Sequence, residues 1–147
     1  ARPMELSSFL AEYSSRYTAA GQGTPPLSIE LPPSGLWIRI DPARLSQALD
    51  NVVRNAMEAC PSGPAPRISA QVRGRRIEMS VDDSGPGVPP ELEPRLFEPF
   101  FTTKEKGSGI GLALARKIAE SSGGSLSYRR RSEGGSSFVF SFPLVPG

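Results

Sequence analysis

"RISAQVRGRRIEMSVDD", residues 67–83, decides the fold. Two runs that alternate apolar and polar residues flank Gly74, the pattern of two strands folded back on each other with one face of each toward a core. The apolar parity of the second run passes through Ile77, Met79 and Val81 and then reaches Asp83, while Asp82 takes the outward parity. An acid on an inward face is costly unless hydrogen-bond donors meet it, so a donor is expected at this site. The next residues, "SGPG", include Gly85 and Gly87 and leave backbone bare where a flat ligand could approach; a purine with an exocyclic amine would supply the donor. The competing reading is a strand-terminal turn closed by Asx bonds, in which the acid serves its own backbone.

Working outward from that hairpin, "DPARLSQALDNVVRNAMEAC" (41–60) opens with an aspartate N-cap and a proline at the first helical position, which predicts a helix. Leu45, Leu49, Val52, Val53, Ala56 and Cys60 form its apolar stripe, with Gln47, Asn51, Asn55 and Glu58 opposite. "MELSSFLAEYSSRYTAA" (4–20) has helical spacing at Leu6, Phe9, Leu10, Tyr13 and Tyr17 and is stopped by "GQGTPP". "LSIEL" and "LWIRI" alternate around "PPSG" and predict a hairpin. Residues 84–107 are rich in proline, glycine and phenylalanine without sustained periodicity, a long loop of the kind that often carries function. "SGIGLALARKIAES" (108–121) returns to helical spacing before "GG", and "SLSYRRR" with "SSFVFSFP" closes as a strand pair around "SEGG". Hairpins interleaved with three helices predict an α+β two-layer sandwich: a mixed, mostly antiparallel sheet of about five strands with three helices on one face.

The 147 residues suit one domain, residues 1–147, and their 37% hydrophobic and 22% charged content suits a globular protein. No apolar run approaches the roughly 18 residues of a membrane span. The "ARPMEL" start lacks a signal peptide's apolar stretch, and the single Cys60 has no partner for an internal disulfide; a cytoplasmic setting is expected, in a full-length protein that a membrane anchor would not contradict. The formal charge is +2, and the basic runs "RGRR" (73–76) and "YRRRSE" (128–133) read as solvated strand faces rather than a nucleic-acid surface. The chain has no histidine, which excludes imidazole acid/base catalysis, imidazole metal ligation and a phosphohistidine on these residues.

Three further features carry chemistry. Asn51 and Asn55 stack at i and i+4, each costing roughly 0.6 kcal/mol against alanine in a helix interior, and their amide oxygens suit a hard cation such as magnesium; a plain solvated helix face is the alternative. Gly107, Gly109 and Gly111 alternate and run straight into a helix, whose free amides and positive dipole end would cradle phosphate, unless the glycines are only a flexible linker. No P-loop or dinucleotide fingerprint is present. In "FEPFFTTKEKG" Phe97, Phe100 and Phe101 would anchor a closing segment from which Lys104 reaches a terminal phosphate, or else are satellite core beside a surface charge.

In order, "NVVRNAMEA", "DDSGPG", "FEPFF" and "GSGIGLALA" resemble the N, G1, F and G2 boxes of the ATP-binding catalytic domain of bacterial sensor histidine kinases, in the GHKL superfamily of gyrase, chaperone and mismatch-repair ATPases. The resemblance covers nearly the whole chain, and four boxes in order are specific where each alone is weak. It implies ATP and Mg2+ as ligands, with Asp83 on the adenine amine, Gly85 and Gly87 shaping the base pocket, Asn55 on the metal and Asn51 one turn earlier. It further implies nucleotide contacts by Phe101, Thr103, Lys104, Gly107, Ser108, Gly109, Ile110, Gly111 and Leu112, an ATP lid over residues 98–108, and Asn51, Asn55 and Lys104 as the residues acting in transfer. Implied partners are a dimerisation domain of the same protein, whose histidine takes the γ-phosphate and whose helices would continue into the first helix here, and a response-regulator receiver domain; no nucleic acid and no membrane contact are implied. Two positions depart from the family pattern: Glu58 stands where many such kinases have lysine, requiring it to face solvent or pair with Arg54, and Glu133 replaces the first glycine of the last turn. The rival readings are a GHKL ATPase that hydrolyses its nucleotide and a degenerate module that binds without transfer.

Overall fold

The computed structural model describes residues 1–20 (side chains through residue 16), 27–101 and 110–147. In chain order, β1 (Pro3–Glu5) leads into α1 (Leu6–Ala20); β2 (Ser28–Ile29) and β3 (Trp37–Arg39) precede α2 (Pro42–Ala59); β4 (Arg67–Arg73) and β5 (Arg76–Asp82) follow. A 3-10 helix spans Pro90–Arg95, and α3 (Gly111–Ser121) is succeeded by β6 (Ser125–Arg130) and β7 (Ser136–Pro143). The main sheet has the order β2-β4-β5-β7-β6, with only the β2–β4 pair parallel. This is the expected α+β architecture, a mixed and mostly antiparallel five-stranded sheet.

Register explains why the helices take one face. Across the sheet Ile68, Val81, Phe138 and Tyr128 are direct neighbours, as are Ala70, Met79, Phe140 and Leu126. These rows meet Leu10 of α1, Leu45, Leu49, Val52, Val53 and Ala56 of α2, and Ala115 and Ile118 of α3 in one core. Burial of each large apolar side chain contributes roughly 1.5–3 kcal/mol, enough to fix α2 and α3 on the sheet. The opposite parity is mostly polar: Ser69, Ser80 and Ser127 share a row with the buried Val139, and Glu78 pairs with Arg73 (3.3 Å) and Arg129 (3.2 Å). Gly74 turns the β4–β5 hairpin at φ 61°, a conformation costly for any residue with a Cβ.

α2 starts as its sequence dictates: Asp41 accepts from the Ala43 N–H (3.0 Å) and Pro42 opens the helix. Its stripe is buried except at Cys60, which is the half-exposed C-cap, while Ala48 joins the core. In α1, Leu6, Leu10 and Tyr13 are buried and Phe9 packs partly against the core; the Tyr17 side chain lies outside the described residues.

The hairpin expected at 27–40 does not form. Ile29 pairs in parallel with Ile68, whereas Trp37, Ile38 and Arg39 pair antiparallel with Glu5, Met4 and Pro3. Pro32 and Pro33 supply no N–H to a returning ladder, and the N-terminal strand supplies a competing partner that alternation alone does not reveal. The same pairing makes residues 3–5 a strand, so the first helix begins at Leu6 and not at Met4.

Candidate functional site

Asp83 is 3% exposed and Asp82 half-buried, so the strand parity holds through the end of β5. Oδ1 of Asp83 accepts from the Gly85 N–H (2.9 Å) and the Ser136 N–H (3.3 Å). Oδ2 is buried and has no partner among the described residues. Burial pushes this carboxyl's pKa up, against those two N–H bonds and the charge of Arg131. One oxygen thus closes an Asx-type turn, as the competing sequence reading has it, and the other has no protein donor among the described residues. One oxygen of Asp82, Oδ1, is likewise buried and unpartnered, but on the outward parity.

The two glycines after Asp83 meet protein. A Cβ on Gly85 would lie 2.7 Å from the Ala59 carbonyl oxygen, so Gly85 lets the loop sit against the last turn of α2. Gly87 has φ 78°, and a Cβ there would lie 3.3 Å from Arg130 Nη1. The end of β6 holds this loop: the Val88 N–H donates to the Tyr128 hydroxyl (3.0 Å), Arg130 donates to the Val88 carbonyl, and Arg131 Nη1 donates to the Asp83 carbonyl (2.7 Å). Tyr128, Arg130 and Arg131 are thus not a merely solvated strand face, and sequence reading missed them together with Gly135 and Ser136. The available signal was the "GG" before "SSF": Gly134 and Gly135 both have φ 98°, and a Cβ on Gly135 would fall 2.0 Å from the Asp83 carbonyl oxygen. Glu133, the departure in this turn, pairs with Arg131 (2.9 Å).

Asn51 and Asn55 are half-buried on α2, while Gln47 and Glu58 on the same polar side are exposed. The start of α3 lies beside Asn51, since a Cβ on Gly111 would stand 3.7 Å from the Asn51 side chain. Ile110, the N-cap of α3, makes no side-chain cap hydrogen bond, and the positive end of the helix dipole lies there. Ile110 is 43% exposed and Leu112 half-buried. From Asn51 to Ala59 is eight residues, about 12 Å along α2. The helix therefore carries amide oxygens near α3 at one level and the Asp83–Gly85 turn at the other.

Phe97 meets Phe138 edge-on at 6.3 Å and carries Arg116 over its ring at 5.1 Å, so it anchors its segment to the core as expected. Phe101 carries the Arg95 guanidinium at 4.5 Å. Phe100, expected as an anchor, is instead 76% exposed among the described residues and has φ 69°. Thr103, Lys104, Gly107, Ser108 and Gly109 lie outside the described residues, as does most of the 98–108 lid. Among the described residues no cluster of three or more metal-ligating acids or cysteines occurs, and no helix is long and apolar enough to cross a membrane.

Residues 40–146 match the family described as histidine kinase-, DNA gyrase B- and HSP90-like ATPase. The sensor protein kinase PilS of Pseudomonas aeruginosa is 35% identical over 153 residues, covering 95% of this chain and 27% of PilS. Among solved structures, the nucleotide-free catalytic domain of histidine kinase ThkA superposes with a TM-score of 0.80 at 32% identity, over 97% of this chain and 94% of that one. ThkA in complex with the response regulator TrrA gives a TM-score of 0.80 at 29% identity, over 99% of this chain and 42% of that one. The chain spans well under a third of the length of the curated relatives it matches.

Proposed function

This chain belongs to the histidine kinase-, DNA gyrase B- and HSP90-like ATPase family, as an ATP-binding catalytic domain of the sensor histidine kinase kind, and we propose that it binds Mg-ATP with Asp83 on the adenine amine and passes the γ-phosphate to a histidine of a separate dimerisation domain. One observation carries the assignment: the buried Oδ2 of Asp83, unpartnered among the described residues, beside a loop whose Gly85 N–H is taken by Oδ1 and whose Val88 N–H is taken by Tyr128. An amine hydrogen bond would satisfy that oxygen and offset the penalty that burial imposes on the charged form.

The rest of the nucleotide follows α2 toward α3. Amides at the start of α3, with the glycines at 107 and 109 preceding it, would hold the phosphates, and Lys104, Thr103 and Ser108 belong to the same segment. The donor set fits magnesium: Asn55, with Asn51 one turn earlier, offers neutral hard oxygens, and phosphates complete such a cation's shell. Bound there, the metal would neutralise phosphate charge. Phosphoryl transfer through a loose transition state asks the protein for alignment and charge neutralisation rather than covalent help. Asn51 has an amide where hydrolytic members of the superfamily use a glutamate, and an amide takes no proton from water, which favours transfer to a protein acceptor. With no histidine in this chain, that acceptor lies elsewhere, and an aspartate of a response-regulator receiver domain would take the phosphate next.

Calorimetric titration with ATP, with and without magnesium, tests the site. Asp83→Asn is expected to weaken binding on the order of a hundredfold, and Asn55→Ala mainly to remove its magnesium dependence. Supplying a dimerisation domain and following phosphohistidine tests transfer. Unchanged binding in both variants would refute the site, and binding without any phosphohistidine would refute the kinase reading in favour of a nucleotide-binding module.

A further inference from the structure

The basic run "YRRR" (128–131) ends β6 against the loop that follows Asp83, and three of its four side chains bond that loop's backbone. The geometry points to Arg131 as a positioning residue that aims Asp83 at the nucleobase from the far side of the acid, with Tyr128 and Arg130 holding the other end of the same loop. This deepens the proposed function and rests on its reading of Asp83 as the adenine acceptor.

Asp83 sits where the β5–β7 ladder ends. Its N–H still donates to the Ser136 carbonyl (2.9 Å), but its carbonyl has passed the last strand pair, and the Arg131 guanidinium meets it instead (2.7 Å). With Oδ1 held by Gly85 and Ser136, the backbone N–H, the carbonyl and one carboxylate oxygen are all fixed, and Oδ2 alone is open. Arg131 is itself preset: Nη2 donates to Glu133 (2.9 Å), and its own N–H donates to the Gly135 carbonyl (3.2 Å). Five residues after Asp83, Val88 is held at both its N–H and its carbonyl by Tyr128 and Arg130. The segment between has no helix or strand and no fully buried side chain after Asp83, so these bonds do not serve a core. They set direction. A planar guanidinium can bond Asp83 and Glu133 at once, which an ammonium does less well.

The test is a ratio. The affinity of this chain for ATP is compared with that for purine riboside triphosphate, which has the same ring and phosphates but no exocyclic amine, in wild type, Arg131→Met, Arg131→Lys and Arg129→Met. A hydrogen bond from the amine to the carboxylate corresponds to a preference for ATP of about ten- to hundredfold in wild type. Arg131→Met should bring the ratio near one by weakening ATP while leaving the analogue almost unchanged, and Arg131→Lys, whose ammonium meets both partners less well, should restore only part of the preference. Arg129, which pairs with Glu78 on the other sheet face, should be silent. Equal loss for both nucleotides would mean that Arg131 only supports the fold, and an undiminished ratio that it does not aim the acid; either overturns the inference while the functional reading stands. A wild-type ratio of one would overturn the reading of Asp83 and this inference with it.

Discussion

Two acids at the ends of strands, Glu5 and Asp83, show what separates a carboxylate that builds the fold from one that waits for a ligand. Glu5 closes β1, and its two oxygens accept from the N–H and hydroxyl of Ser7 (3.2 and 2.7 Å), those of Ser8 (3.0 and 2.7 Å) and the Gly35 N–H (3.2 Å). The Ser7 hydroxyl leads the interactions that hold its pKa down at about 2. Asp83 closes β5 with two N–H bonds, both on one oxygen, and burial pushes its pKa up. The difference is the number of donors that the chain aims at each acid. Glu5 is saturated by the serines that begin α1, whereas among the described residues the exposed Ser84 after Asp83 places no bond on the acid, and Gly85 and Pro86 bring no side-chain donor.

Asp83→Asn gives the largest contrast. ATP affinity is expected to fall on the order of a hundredfold, the loss of a charged hydrogen bond of about 3 kcal/mol, while thermal stability without nucleotide stays equal or rises. The pH dependence has a definite sign: a folded pKa above the unfolded value of about 3.9 means that Asp83 favours folding at low pH and that this contribution is lost as pH rises through the folded pKa. Denaturation curves across that window should lose this slope in Asp83→Asn.

Gly135→Ala attacks the same acid from behind. The φ of 98° and the 2.0 Å approach to the Asp83 carbonyl oxygen should together cost about 2 kcal/mol or more and weaken ATP binding as well, so this change moves both readouts where Asp83→Asn moves one. Glu5→Gln should do the converse, costing about 1 kcal/mol at neutral pH with nucleotide affinity intact. Its linkage has the opposite sign: the Glu5 contribution is present above the unfolded pKa and lost as pH falls toward about 2, so urea titrations below pH 4.5 should show a flatter acid limb in the variant. The smallest effect belongs to Asp82→Asn, which carries the same change in charge one residue away on the outward parity; ATP affinity and stability should each move by no more than about 0.5 kcal/mol. A large loss there would mean that charge near the loop, and not the aim of Asp83, is what matters.

Much of this molecule is legible in its amino-acid sequence. The inward turn of Asp83, the α2 stripe, the β4–β5 and β6–β7 pairs and the polar face bearing Asn51 and Asn55 follow from periods of 2 and 3.6 residues together with cap and turn chemistry, all of which act within a few positions of chain. The hairpin predicted at 27–40 failed because strand choice is made between distant segments: alternation says that a strand exists and not which strand it will meet. The same limit hid Arg131 and Tyr128, which serve a loop some 40 residues earlier in the sequence. By itself the sequence determined which residues face inward and where an acid would be left short of donors, since those depend on local geometry. Only the tertiary structure decided that one oxygen of that acid is filled and the other open, because the donors come from strand ends that folding alone brings together.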